Sequence, residues 1–130
     1  MKKNKIKLIA VLFMLLSFNT NNKKDSIQTL LGSENATDLI EAYSYINKID
    51  DTIYIEEMFK NPYDARVSND LRFKGISVYQ AKMNAFKRMS GIEPPHIINY
   101  KVDTVNVHFY LNWASSKSYI SRDLPPLNDR

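Results

Sequence analysis

The stretch that decides the fold is Ser77–Gly91, which reads SVYQAKMNAFKRMSG. Ser77 and Gln80 have the spacing of a capping box, in which each side chain can satisfy the other's free backbone N–H. Two cations lie in the last turn, where the helix dipole favours positive charge, and Gly91 suits the left-handed position that ends many helices. The stretch therefore predicts a helix whose buried stripe consists of Val78, Ala81, Ala85, Phe86 and Met89.

Shorter helices are predicted on the N-terminal side of this stretch. Ser26–Leu31 precedes Gly32 and reads as a short first helix with a glycine cap. Asn35 is a good N-cap for a second helix, whose apolar residues recur at helical spacing as far as Ile49. A third helix spans residues 52–60 and stops before Pro62. The second and third helices are joined by a short turn, which predicts an antiparallel hairpin.

The segment on the C-terminal side has two interpretations. Alternation from Val105 to Trp113 is typical of a strand and would give an α+β fold with a C-terminal hairpin over residues 97–113. The same residues can also form a helix capped by Asp103 or Thr104 that buries Val105, Phe109 and Trp113. The helical neighbourhood favours the second interpretation and an all-α fold. Residues 119–130 are predicted to form an extended polar tail.

Residues 39–67 resemble one HEAT-type helical repeat. Ile46-Asn47-Lys48-Ile49-Asp50-Asp51 occupies the turn between the repeat's helices, and Pro62-Tyr63-Asp64-Ala65-Arg66-Val67 is similar to the segment that opens a following repeat. Val78–Gly91 resembles that repeat's first helix. The resemblance, about one and a half repeats within residues 23–118, implies a short stack of antiparallel hairpins with a protein-binding surface and no shared catalytic residue. The family does not require residues 68–76, which form an insertion.

Residues 1–22 are predicted to be a targeting segment and not part of the folded domain. Four lysines, Lys2, Lys3, Lys5 and Lys7, precede an apolar run, which is the layout of a secretory signal. No small-x-small pattern, which signal peptidase prefers, follows the apolar run. The segment is therefore either cleaved inefficiently or retained as a membrane anchor. The chain has 18 basic and 14 acidic residues, so without these four lysines its charges balance. An exported, neutral protein is not expected to bind nucleic acid.

Catalytic and metal-binding chemistry is not predicted. The chain has no cysteine, which excludes disulfides, thiolate metal sites and a cysteine nucleophile. His96 and His108, with Asp103 between them, make an incomplete ligand set for a metal. Adjacent carboxylates such as Glu56 and Glu57 point about 100° apart on a helix and cannot converge on one atom. We therefore expect no enzyme, no metal and no cofactor.

The charges of the chain are segregated. Residues 25–64 contain nine acids and two lysines, whereas residues 66–88 contain six basic residues and one acid, Asp70. Opposite charges could simply lie side by side in the stacked helices. Alternatively, the insertion could form a basic face that binds a partner, with Arg72, Phe73, Lys74 and Tyr79 as contact residues.

The sequence thus predicts an exported, non-catalytic protein–protein interaction module whose partner protein is unknown. Two alternatives remain at this point. One is a single-target inhibitor or immunity-type protein, which would have one tightly bound partner. The other is a small-molecule or lipid carrier that encloses its ligand between the helices and a C-terminal β-hairpin.

Overall fold

The computed structural model describes residues 22–47 and 49–121, with the backbone alone at residues 49 and 50. Residues 1–21 of the predicted signal (1–22) and residues 122–130 of the predicted tail (119–130) lie outside the described residues. The described part is all-α, with no strand and one isolated bridge between Val67 and Ser77. Its elements are α1 (residues 22–31), α2 (Ala36–Tyr45), a 3₁₀ helix (Ile49–Tyr54), α3 (Ile55–Met58), α4 (Val78–Ser90) and α5 (Thr104–Ser116).

Helix α4 forms as the sequence predicts. The Ser77 hydroxyl accepts a hydrogen bond from the Gln80 N–H at 3.0 Å, and Gly91 ends the helix with a φ of 68°. All five residues of the predicted stripe are buried. Helix α4 packs against α2, the 3₁₀ helix and α5, so it lies at the centre of the fold.

An aromatic stack ties three elements of the core together. The Phe86 ring on α4 stacks on Phe59 with 4.6 Å between centroids, and on Tyr110 of α5 with 5.5 Å. Tyr110 also meets Trp113 edge to face. Burial of these large rings supplies much of the hydrophobic stabilisation available to a chain without disulfides.

Helix α2 begins as predicted and ends earlier. The Asn35 side chain caps it by accepting from the Thr37 N–H at 2.8 Å, but the helix stops at Tyr45 and not near Ile49. The Arg88 guanidinium donates to the carbonyl oxygens of Tyr43 and Ile46, at 2.6 and 3.0 Å. Because these carbonyls are free at the end of a helix, Arg88 satisfies them and fixes the end of α2 against α4.

The predicted third helix, residues 52–60, is split in two. A 3₁₀ helix over Ile49–Tyr54 is followed by the single turn of α3. Helix α2 packs most extensively against α4, which follows it after this broken segment. The described residues therefore confirm the helical class, and the HEAT-like stacking stays a prediction.

Helix α5 resolves the ambiguity of its segment, and the C-terminal β-hairpin alternative is wrong. Asp103 caps the helix by accepting from the Val105 and Asn106 N–H groups. Its buried face comprises Asn106, Val107, Tyr110, Trp113 and Ala114, so the helix is rotated from the predicted face and Val105 is exposed. The rotation follows from Asn106, whose amide exchanges two hydrogen bonds of 3.0 Å with the backbone of His96.

The first helix starts earlier than predicted, and packed residues extend past the predicted end of the domain at residue 118. The sequence predicts the first helix from Ser26, whereas residues 22–25 already belong to α1. After α5, Tyr119 packs edge to face on Trp113 with 5.6 Å between centroids, and Ile120 is buried. The expectation that the tail starts at residue 119 is therefore wrong, because residues 119–121 pack on the domain.

Candidate interaction site

Residues 68–76, which we call the insertion loop, have a closed base. The Ser68 N–H donates to the Ile76 carbonyl at 3.1 Å, next to the bridge between Val67 and Ser77. Ser68 is buried, and its hydroxyl lies 2.8 Å from that of Thr37 on α2. The loop is thus attached both to the start of α4 and to the start of α2.

Hydrogen bonds also fix the interior of the insertion loop. The Asp70 carboxylate accepts from the Arg72 N–H at 2.9 Å, and the Asp70 carbonyl accepts from the Phe73 N–H at 3.0 Å. The Ile76 N–H donates to the Phe73 carbonyl at 3.0 Å, and Gly75 supplies a φ of 82°. Consecutive turns of this kind hold the loop in one conformation without a helix or a strand.

The loop presents one exposed aliphatic side chain. Leu71 is 89% exposed, the highest value among the exposed large hydrophobic residues. Its neighbours, Asp70 and Arg72, form an ion pair with 3.1 Å between carboxylate oxygen and guanidinium nitrogen. Covering this exposed leucine with a partner removes apolar surface from water and so favours binding. Because the loop is already fixed, little conformational entropy is lost on binding.

Arg72 is less available than the sequence suggests. Besides Asp70, it pairs with Glu41 of α2 at 3.3 Å, and its guanidinium lies 5.1 Å from the centroid of the Phe73 ring. The hydrogen bonds from Arg72 also lower the pKa of Asp70. Arg72 thus links the loop to α2, and the carboxylates of Asp70 and Glu41 already compensate its charge.

Phe73 lines an apolar groove beside the loop. The groove has a volume of about 170 Å³ between α2 and α4, and the Phe73 ring forms one wall. Its other lining residues are Ile40, Ser44, Ile76, Ala81, Asn84 and Arg88. A short apolar side chain of a partner could enter this groove while the partner covers Leu71.

The two remaining predicted contact residues, Lys74 and Tyr79, differ in their exposure to solvent. Lys74 is exposed and has no ion-pair partner among the described residues, so it can meet a partner. Tyr79 is fully buried, and its hydroxyl donates to the Asp103 carbonyl at 3.3 Å. The expectation that Tyr79 contributes to a contact surface is therefore wrong, because it lies on the core side of α4.

The rest of the basic run serves the fold. Arg66 pairs with Asp64 at 2.6 Å, Lys87 pairs with Glu93 at 2.8 Å, and Arg88 binds the end of α2. Lys82 is buried. The segregated charges therefore meet mainly within the molecule, and the basic face reduces to Lys74 with the outer part of Arg72.

The described residues contain no candidate metal cluster and no candidate membrane span. His96 pairs with Asp103 at 2.7 Å, and no group of three or more metal-ligating side chains occurs in residues 22–47 and 49–121. Although the partial burial of Asp103 opposes its ionisation, hydrogen bonds from His96 and two backbone N–H groups lower its pKa. In the same part of the chain, no helix is both long and apolar enough to cross a membrane.

Sequence reasoning missed Leu71 and the groove. Leu71 is a single apolar residue between two charged ones, so no periodicity marks it. The groove depends on the packing of α2 on α4, which are far apart in sequence. Comparisons of the chain with protein-family models, with curated proteins and with solved structures found no match.

Proposed function

We propose that this protein is an exported, non-catalytic interaction module that binds a partner protein through the insertion loop. The observation that carries the proposal is Leu71, 89% exposed on a loop whose backbone is held by its own hydrogen bonds. The adjoining groove and Lys74 extend this surface. Export rests on the sequence of residues 1–22.

Of the two alternatives, the single-target inhibitor uses the same surface and differs in the number and affinity of its partners. The carrier alternative required the β-hairpin that α5 replaces. Its ligand would also need a larger cavity, because pockets for drug-sized ligands measure about 300–1,000 Å³. The groove beside the insertion loop measures about 170 Å³, which is below this range.

Site-specific cross-linking tests the proposal in the exporting cells. A photoreactive amino acid at position 71 should cross-link a discrete partner protein. The same amino acid at position 53 is the matched control, because Ile53 is also an exposed aliphatic residue (66%) outside the loop. Equal cross-linking from both positions, or none from position 71, would refute a contact through the loop.

A further inference from the structure

A second cavity, distinct from the groove beside the insertion loop, lies between the end of α1, α2, α3 and α4. Its volume is about 130 Å³, and it is part polar and part apolar. Lys82 is one of its lining residues, and its apolar lining includes Leu31, Leu39 and Val78. We call it the lysine cleft.

Lys82 is buried without a carboxylate partner. Its side chain is 2% exposed, and no described carboxylate lies within 4.0 Å of its ammonium group. The ammonium donates to the Asn61 carbonyl at 2.5 Å and lies 5.5 Å from the centroid of the Tyr43 ring. Since an ammonium has three N–H donors, two remain for an occupant of the cleft.

Tyr43 offers a second donor in the same cleft. Its side chain is 3% exposed and lines the cavity, and its hydroxyl has no hydrogen-bond partner among the described residues. Because Tyr43 lines the cavity, its hydroxyl can donate to a molecule that occupies the cleft. Lys82 and Tyr43 thus present unused donors to one small space.

The two carboxylates that line the cleft are already compensated. Asp64 takes three hydrogen bonds from the Arg66 side chain, and Glu57 pairs with Lys60 at 2.5 Å. Burial opposes the ionisation of Asp64, but the hydrogen bonds from Arg66 outweigh it and lower the pKa. With these pairs formed, the charge of Lys82 is the one left for a ligand.

We propose that the lysine cleft binds a small organic carboxylate, whose oxygens accept hydrogen bonds from the Lys82 ammonium and the Tyr43 hydroxyl. The apolar lining suits a short alkyl chain. A doubly charged phosphate would place more negative charge beside Asp64 and Glu57 than one ammonium compensates. At about 30 Å³ per water molecule, the cavity holds about four waters or about five non-hydrogen atoms of a ligand.

Propionate, which has this size, is the probe. Titration of the isotope-labelled full chain with sodium propionate, against sodium chloride at equal ionic strength, should give saturable NMR shifts at the amides around Tyr43, Asn61 and Lys82. Lys82→Met should weaken binding at least about tenfold, the scale of one lost charge-assisted hydrogen bond. Tyr43→Phe should weaken it several-fold. Lys87→Met is the matched control on the same helix and should leave the affinity unchanged.

Affinity should also fall with pH. Burial lowers the pKa of Lys82 to about 8, against the attraction of Asp64 and Glu57, so most of the ammonium is lost at pH 9.5. The other ionisable groups that face Lys82 are Tyr43, Glu57, Lys60, Asp64 and Arg66. The pKa of Tyr43 is raised and that of Asp64 lowered, so neither titrates between pH 7 and 9.5. Propionate should therefore bind more than about tenfold more weakly at pH 9.5.

Three results would overturn the proposal. One is the absence of saturable shifts up to the concentration at which sodium chloride alone perturbs the spectrum. Another is an unchanged affinity in Lys82→Met, whose folding the same spectra verify. The last is tighter binding of inorganic phosphate than of propionate, which would contradict the carboxylate class.

Discussion

Replacing Lys82 by methionine should stabilise the folded protein at neutral pH, because it removes a buried charge and keeps a side chain of similar length. Burial lowers the pKa of Lys82 from its ordinary 10.5 to about 8, although Asp64 and Glu57 attract the charge. Each pH unit of such a difference corresponds to about 1.4 kcal/mol. The protonated side chain therefore lowers the free energy of unfolding by about 3 kcal/mol at pH 7.

The pH dependence of this effect has a definite sign. Because the pKa is lower in the folded state, the unfolded chain binds more protons between about pH 8 and 10.5, and the wild-type protein gains stability through that window. Between pH 7 and 9.5 the gain is about 2 kcal/mol. The methionine variant lacks this gain, so its advantage should shrink from about 3 to about 1 kcal/mol.

Urea unfolding of the full chain at pH 7 and 9.5 measures both quantities. With an m-value of about 2 kcal/mol per molar urea, the variant's midpoint should lie about 1.5 M higher at pH 7. The Asn61 carbonyl loses its donor, but Asn61 is exposed and water can replace it. Lys87→Met, a partly exposed lysine paired with Glu93, should change stability by less than about 1 kcal/mol without this pH dependence.

Two outcomes would refute the reasoning about Lys82. A variant less stable than the wild type at pH 7 would show that the contacts of the ammonium outweigh its burial. An advantage that stays constant from pH 7 to 9.5 would show that folding does not lower the pKa of Lys82, because the folded and unfolded chains would then bind equal numbers of protons over that range.

Two further predictions concern the centre of the fold. Ser77→Ala removes the cap of α4 and should lower the free energy of unfolding, measured with urea, by about 1 kcal/mol. Ser115→Ala, on the exposed surface of α5, is the control and should change it little. Equal effects of the two substitutions would contradict the role of Ser77 as a cap. Phe86→Ala opens the aromatic stack with Phe59 and Tyr110 and should lower the free energy of unfolding by about 3–5 kcal/mol. Val105→Ala, at an exposed position, is its control. A decrease below about 1 kcal/mol for Phe86→Ala would show that the stack is not part of the core.

Local signals explain how much of the fold could be predicted. The cap, stripe and terminal glycine of α4 all lie within fifteen consecutive residues, so the sequence alone determines the helix. The caps at Asn35 and Asp103 are equally local and were confirmed. The end of α2 and the rotation of α5 depend on Arg88 and on the backbone of His96, which are distant partners that periodicity does not reveal.

The candidate site shows the same division. An insertion rich in polar residues marks residues 68–76 as a loop, and Lys74 and Phe73 could be proposed from residue type alone. Whether Arg72 is free depends on Glu41, which lies 31 positions away in the chain. Tyr79 lies two residues after the cap residue and is amphipathic, so only the packing of α4 on α5 shows that it faces the core.

The most direct test of an interaction module that acts through the insertion loop is quantitative affinity capture from cross-linked exporting cells. Tagged full-length wild type is compared with Leu71→Ser and with Ile53→Ser, which is an equivalent change at an exposed position outside the loop. The account predicts one or more stoichiometric protein partners with wild type and Ile53→Ser, and their loss with Leu71→Ser. Equal recovery with all three chains, or no partner with the wild type, would contradict it.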